Sequence, residues 1–458
     1  MKDMTKGPVA GHVLQLAGFI ALTMLFQTLY FLADLYFVGR LGKEAVAGVS
    51  LSGNLAFVVL ALTQSLGVGA TALVAQALGR RQREQAELVF NQAFVLSALT
   101  GLAFGLFAFA ARRAYCGWLA ADAATAEQGI RYLTWFVPAL AMQFLLVAMS
   151  ATLRGMGDLK VPTAIQVATV IVNVVLAPVL IFGWLGVPAL GVQGAAIASL
   201  AAITAGCVAF AFYFRRAESP FRFRLSQWRP QPRLWGALLR IGLPAGGEFA
   251  LLSFYMLLIY DISRRFGASA QAGFGIGLRV MQSLFLPVVA VAFATAPVVG
   301  QNFGARLGPR VREAFRAAAQ IGAGVMLVLT VLCHIAPDAL VRVFSRDEAV
   351  VAFGSEYLRI VSWNFVASGL VFVTSSVFQG LGNTLPALAS SALRLLLFAL
   401  PAYMLSQRPG FEMRHVWYLS VASVTLQVIA NLWLLERELR KRVDFVPLGE
   451  AAPVPSPG

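Results

Sequence analysis

The chain has 458 residues, of which 59% are hydrophobic and 12% charged, and it carries a net charge of +15. A soluble protein has about 25% charged residues, so this composition excludes an ordinary soluble enzyme and, with a mean hydropathy of +0.75, points to a bilayer. Nucleic-acid binding is disfavoured despite the positive charge, because the arginines cluster between apolar runs as the loops of a membrane protein require.

The N-terminal MKDMTKGPVAGH precedes an apolar run at 13–38. That run is too long for a signal-peptide core and no A-x-A-like site follows it, so it reads as a first retained span. Further runs fall at 46–76, 88–111, 132–153, 161–184 and 190–214, and then at 239–260, 271–300, 315–337, 355–379, 385–406 and 415–435. Each is expected to be a helix, since lipid offers no partner to an open backbone. With the N-terminus taken as cytoplasmic, inner segments hold 21 Lys and Arg and outer segments 12. This asymmetry orients both termini toward the cytoplasm. The fold class read from the sequence is an all-α polytopic membrane protein with twelve transmembrane helices.

The stretch RRAESPFRFRLSQWRPQPRLW, 215–235, has six arginines and three prolines and sits at the midpoint. It divides the chain into an N-lobe (1–214), a basic cytoplasmic linker (215–237), a C-lobe (238–436) and a cytoplasmic tail (437–458). The halves repeat. Arg40, Gly42, Ala47 and Gly48 recur 225 residues later as Arg265, Gly267, Ala272 and Gly273. Gln76-x-x-Gly79 recurs as Gln301-x-x-Gly304, and Gly155 and Gly157 as Gly380 and Gly382. Six spans per copy make the repeats parallel, with a cavity expected between them.

No phosphate-binding loop, H-E-x-x-H motif or paired-aspartate run is present, so the chain is not read as an enzyme. Its three cysteines (Cys116, Cys207, Cys333) and three histidines (His12, His334, His415) are scattered. No metal site or cofactor is expected. The energy source is then an ion gradient, of protons or sodium.

Ionisable residues at membrane depth are the functional candidates, because burying charge in lipid is costly. Asp34 stands near the end of the first run, with Tyr30 one turn earlier on the same face. It either reaches outer headgroups or Arg40, or it is a cavity carboxylate that binds a proton or sodium. Glu248, in IGLPAGGEFALL, lies beyond Pro244 among small residues, where another helix or water can approach. It is protonatable and functional, or it pairs with Arg279 or Arg394. Asn173 coordinates an ion or makes an interhelical bond. Asp261 borders the interface beside Arg264 and Arg265. Gln15, Gln27, Gln64, Gln143, Gln166 and Gln282 are polar at membrane depth.

The stretches ADLYFVGRLGKEAVAGVSL (33–51), LVAQALGRRQREQAE (73–87), LRGMGDLKVPT (153–163), PVVGQNFGARLGPRVREA (297–314) and QGLGNTLPAL (379–388), taken with the repeat, resemble the bacterial branch of the multidrug and toxic compound extrusion (MATE) transporters. The resemblance implies two six-helix lobes in a V, alternating access and cation-coupled export of organic, cationic amphipathic compounds. It implies a cation site at Asp34. Family members often pair the fifth-helix Asn with an Asp four residues on, where this chain has Asn173 and Ala177. Many carry a seventh-helix Glu where Leu252 stands here, one turn after Glu248. One carboxylate per lobe suits a proton better than sodium, since desolvation favours a neutral carboxyl. The expected partners are a small-molecule substrate and the lipid bilayer, with no nucleic acid and no obligate protein partner. The rival readings are a lipid or lipid-linked sugar flippase, whose diphosphate would need arginines such as Arg279 and Arg394, and an integral membrane transferase.

Overall fold

The computed structural model describes residues 2–216 and 219–443. Ala217 and Glu218 of the linker, and residues 444–458 of the expected tail, lie outside the described residues. The described chain is helical. The N-terminal half contains α1 (Val9–Gly39), α2 (Lys43–Ser50), α3 (Ser52–Gly79), α4 (Arg83–Leu119), α5 (Ala123–Gly155), α6 (Lys160–Phe182) and α7 (Val192–Arg215). The C-terminal half contains α8 (Pro232–Ser263), α9 (Ala268–Gly304), α10 (Gly308–Ile335), α11 (Pro337–Arg342), α12 (Glu348–Val361), α13 (Asn364–Leu381), α14 (Leu385–Ser406) and α15 (Met413–Arg442). Twelve segments are long and apolar enough to span a bilayer, with α2 and α3 together forming one of them and α11 and α12 lying outside the set. The described structure is thus an all-α protein of two parallel six-span repeats.

Two boundaries differ from the sequence reading. The run at 355–379 is broken: α12 ends at Val361 and the spanning helix α13 starts at Asn364. Ser362, Trp363 and Asn364 make a short dip in hydropathy there, which an average over the whole run conceals. The first helix of the C-terminal half starts at Pro232, inside the stretch read as linker, because Pro at a first helical position is pre-set for the helix and gives up no needed donor.

The repeated glycine motif has a physical reason in each half. Gly157 and Gly382 take left-handed φ values of 73° and 74°, which end α5 and α13 sharply at low steric cost. Two residues earlier, Gly155 and Gly380 are packed against backbone. A Cβ at Gly155 would sit 2.7 Å from the Thr71 carbonyl oxygen, and one at Gly380 would sit 2.6 Å from that of Ala296.

Lipid gives helices little hydrophobic reason to associate, so small residues that permit close packing decide where they meet. The lobes join along α3–α8, α1–α9 and α3–α9. Gly242 and Gly246 of α8 lie directly on Ser65 of α3, and a Cβ at Gly242 would run into the Ser65 carbonyl. The contact continues to the end that carries both termini. There Gly79 and Gly304 each abut a carbonyl of the other lobe, and the Met4 amide donates to Gln301 Oε1 at 3.0 Å. Toward the opposite end the lobes splay into a V around a central cavity.

The segment after α7 is strapped to α4. Asn91 Nδ2 donates to the Arg222 carbonyl at 3.0 Å, and Asn91 Oδ1 accepts from Arg224 N at 3.1 Å and Trp228 Nε1 at 3.0 Å. Arg224 pairs with the buried Glu87 at 2.9 Å. Phe90, Phe94, Phe223 and Trp228 stack over the join.

Candidate functional site: an N-lobe carboxylate cluster and a central cavity

Three of the candidate residues meet inside the N-lobe. On α1, Tyr30 and Asp34 stand one turn apart. Asn173 comes from α6, and α7 adds Ser199. The Ser199 hydroxyl donates to the Ala195 carbonyl at 3.1 Å, and it accepts from the Tyr30 hydroxyl at 2.7 Å and from Asn173 Nδ2 at 3.3 Å. The Asp34 carboxylate is within electrostatic reach of the Tyr30 and Tyr132 phenols. Two acceptors remain open here: Asp34 Oδ1 and Asn173 Oδ1 are buried with no hydrogen-bond partner among the described residues. Arg40 does not supply one, since its guanidinium donates to Tyr36 and lies over that ring. Ala177, one turn past Asn173, is fully buried and brings no charge.

Buried polar groups are nearly always paired. Asp34 Oδ1 and Asn173 Oδ1 therefore lack what a proton on Asp34 or a small cation would supply. A cation would find one carboxylate, one amide oxygen and two hydroxyls. Among the described residues no group of three or more His, Cys, Asp or Glu side chains gathers as a metal site.

The second feature is a cavity of about 740 Å³ between the lobes. It extends from Arg154 and Gln379, near the closed end, toward Ile259 and Trp417 at the splayed end. Glu248 borders it, at the midpoint of α8. Its Oε2 accepts from the Ser375 hydroxyl at 2.6 Å and its Oε1 from Ser391 at 3.5 Å. Gln427 Nε2 donates to Ser391 Oγ at 3.1 Å, and Arg394 Nη1 donates to Gln427 Oε1 at 3.4 Å. The Arg394 guanidinium lies 4.4 Å from the Tyr255 ring centroid. The Tyr255 hydroxyl shares a 2.6 Å bond with Ser420, which also accepts from Asn364 Nδ2 at 3.1 Å. Helices α8, α13, α14 and α15 thus hold one polar network on the C-lobe wall.

Asp34 and Glu248 do not share this cavity. On α1 the lining ends at Gln27, and Asp34 is seven residues on, about 10 Å farther along the helix. It continues the stripe of Ile20, Thr23 and Gln27 but turns into the N-lobe, where the hydroxyl and amide groups are. Glu248 and Arg394 share one network without an ion pair between them. Arg279 is exposed on α9 and outside the cavity lining, and so is Asp261 near the end of α8. Neither belongs to the site. Of the glutamines, Gln27, Gln64, Gln143, Gln166 and Gln282 line the cavity, whereas Gln15 contacts Lys2. Arg154 lines it too, although its sequence position groups it with the cytoplasmic arginines. Tyr255 and Ser420 were signalled only by the repeat: Tyr255 lies 225 residues after Tyr30 and makes the same bond, from the first helix of its lobe to the last.

The MatE family model matches the chain twice, over residues 20–179 and 244–404. A "Probable multidrug resistance protein YoeA" of Bacillus subtilis is 25% identical over 417 residues, covering 90% of each chain. A "Probable multidrug resistance protein NorM" of Bradyrhizobium diazoefficiens is 30% identical over 427 residues, covering 89% of this chain and 88% of that one. Among solved structures, one described as the outward-facing conformation of a multidrug resistance MATE family transporter of the MOP superfamily superposes with a TM-score of 0.88 at 23% identity, over 97% of this chain and 98% of that one.

Proposed function

Since this chain belongs to the MATE family and is a multi-pass membrane transporter rather than an enzyme, we propose that it is a proton-coupled antiporter that exports amphipathic organic compounds by alternating access. The observation that carries the reading is the pair of orphan oxygens, Asp34 Oδ1 and Asn173 Oδ1. A proton on Asp34 turns one acceptor into a donor and leaves no uncompensated charge inside the lobe. Sodium would find a single carboxylate among these oxygens, because Ala177 adds no second charge.

In this reading the protein sits in the bacterial plasma membrane with both termini in the cytoplasm, in agreement with the excess of inner Lys and Arg. The described conformation, closed at the terminal end, is then open outward. A proton from outside neutralises Asp34, and its loss to the cytoplasm resets the lobe. The stripe on α1 from Asp34 through Gln27 to Thr23 links that event to the cavity wall. Glu248, ionised, attracts the positive group of a cationic cargo. Ligand-driven switching needs a difference in affinity between the two conformations, and the charge state of Asp34 supplies one.

The test is efflux of a fluorescent amphipathic cation from cells expressing the full chain. Asp34→Asn, which keeps size and removes the titration, should reduce the rate at least about tenfold, about 1.4 kcal/mol. Efflux at the unmodified rate in that variant would remove Asp34 from the mechanism.

A further inference from the structure

We propose that Arg154 and Arg394 each offer the central cavity an anion-recognition subsite, so that the preferred cargo carries a carboxylate or phosphate alongside its apolar body. This deepens the transport reading and rests on it for the word cargo, although the subsite itself is argued from geometry alone.

The two guanidinium groups border one cavity from opposite lobes. Both have a buried Nε with no acceptor among the described residues. The Arg154 guanidinium donates no hydrogen bond among the described residues and lies 5.8 Å from the Phe293 ring centroid. Arg394 makes one long bond, to Gln427 at 3.4 Å. A guanidinium has five N–H donors, so most of those on both residues are unused. Only the Nε atoms are buried without an acceptor; both side chains border the cavity, where an anionic group can reach the remaining donors.

No resident partner is at hand. Glu248 is the sole carboxylate in the cavity lining, and its two oxygens are engaged by Ser375 and Ser391. The lining therefore holds two positive charges, Arg154 and Arg394, beside the one carboxylate of Glu248, so a guest that carries an acidic group as well as a positive one is favoured over a guest that carries the positive one alone. Tyr255, at 4.4 Å from Arg394, holds that guanidinium by its face, which leaves the N–H edge to accept the planar fork of a carboxylate or phosphate. Around the charges the walls are apolar, with Phe249, Leu252, Met256, Phe285 and Phe372. The occupant is thus an amphiphile with an acidic group.

Arg154 also precedes Gly155, whose carbonyl accepts a 3.2 Å bond from Gln301 of the other lobe. An anion held by Arg154 lies beside the contact that closes the lobes.

The test uses the purified full-length chain and a rhodamine pair: the free acid, a zwitterion at neutral pH, and its ethyl ester, a cation. Binding is read by fluorescence polarisation in detergent, and transport in liposomes under an imposed pH gradient. The acid should bind about tenfold more tightly than the ester, about 1.4 kcal/mol. Arg394→Gln and Arg154→Gln should each erase most of that ratio, while Arg394→Lys and Arg154→Lys, which keep the charge, should retain part of it. Equal binding of acid and ester by the unmodified chain overturns the proposal on its own, whatever the variants do. So does a ratio that survives both Gln substitutions. If the ratio behaves as expected but neither dye moves under the pH gradient, the subsite stands and the transport mechanism fails. A parallel arm follows translocation of fluorescent phosphatidylglycerol in the same liposomes. Movement that is lost in Arg394→Gln identifies the anionic group as a lipid headgroup, and absence of movement with the acid preference intact identifies it as part of a soluble cargo. Both results support the subsite.

Discussion

Gln76 and Gln301, 225 residues apart, make the same bond in opposite directions across the two lobes. Gln76 Nε2 donates to the Gly380 carbonyl at 2.9 Å, and Gln301 Nε2 donates to the Gly155 carbonyl at 3.2 Å. Gly304 packs on the Gln76 backbone and Gly79 on the Gln301 backbone. The four residues form a pseudo-two-fold latch at the end that carries the termini. A buried hydrogen bond contributes about 1 kcal/mol net, so Gln76→Ala and Gln301→Ala should each shift the conformational equilibrium away from the closed end by about fivefold. Gly79→Val or Gly304→Val should do so more completely, because the new Cβ meets backbone. Spin-label distances between Gln82 and Pro309, both exposed near this end, report the change. An unchanged distance distribution in Gly79→Val would show that the glycine contact does not govern closure.

Tyr30 and Tyr255 are a second repeat-related pair. Each ties the first helix of its lobe to the last, through Ser199 and Ser420. Tyr30→Phe removes the hydroxyl beside Asp34 and should slow proton-driven transport as well as cost about 1 kcal/mol of stability. Tyr255→Phe keeps the ring under Arg394 and should cost similar stability while sparing coupling. Thermal unfolding and pH-driven efflux, measured on both variants, separate the two effects.

Ala177 stands where a second carboxylate would complete a cation site with Asp34 and Asn173. Ala177→Asp should create sodium binding that the unmodified chain lacks. The expected readout is a rise in unfolding temperature on adding sodium to Ala177→Asp, against a flat response in the parent. Burying a new carboxylate costs stability in the absence of ion, so the variant should start lower, by about 1–3 kcal/mol. A parent protein stabilised by sodium would argue against proton coupling.

Asn91 is fully buried and bonds the backbone of Arg222 and Arg224 in the strap that joins the lobes. Asn91→Leu keeps comparable bulk but cannot make these bonds. Trypsin should then cut the arginine-rich strap at Arg222 or Arg224 about tenfold faster, since local opening is governed by the few bonds that hold it. Unchanged cleavage would mean that the aromatic stack over Phe90 and Trp228 suffices.

The legible and illegible parts of this protein divide along physical lines. Spans were readable because lipid demands long apolar helices, and the repeat was readable because a left-handed turn at Gly157 and Gly382 and close backbone contact at Gly155 and Gly380 admit almost nothing but glycine. What an average over a run cannot carry is direction. Arg154 sits at the end of an apolar run, as cytoplasmic arginines do, yet its side chain turns back into the cavity. Asp34 and Glu248 look equivalent as membrane carboxylates, but one turns into its own lobe and the other toward the space between lobes. The break at Val361–Asn364 shows in the sequence only as the short dip at Ser362, Trp363 and Asn364, which disappears in an average over the run.

The account depends most on protons as the coupling ion. Purified protein in liposomes, loaded with a fluorescent amphiphile and subjected in turn to a pH gradient and a sodium gradient, tests it directly. Dye movement should follow the pH gradient, ignore sodium, and vanish in Asp34→Asn. Movement driven by sodium with no response to pH would contradict the account.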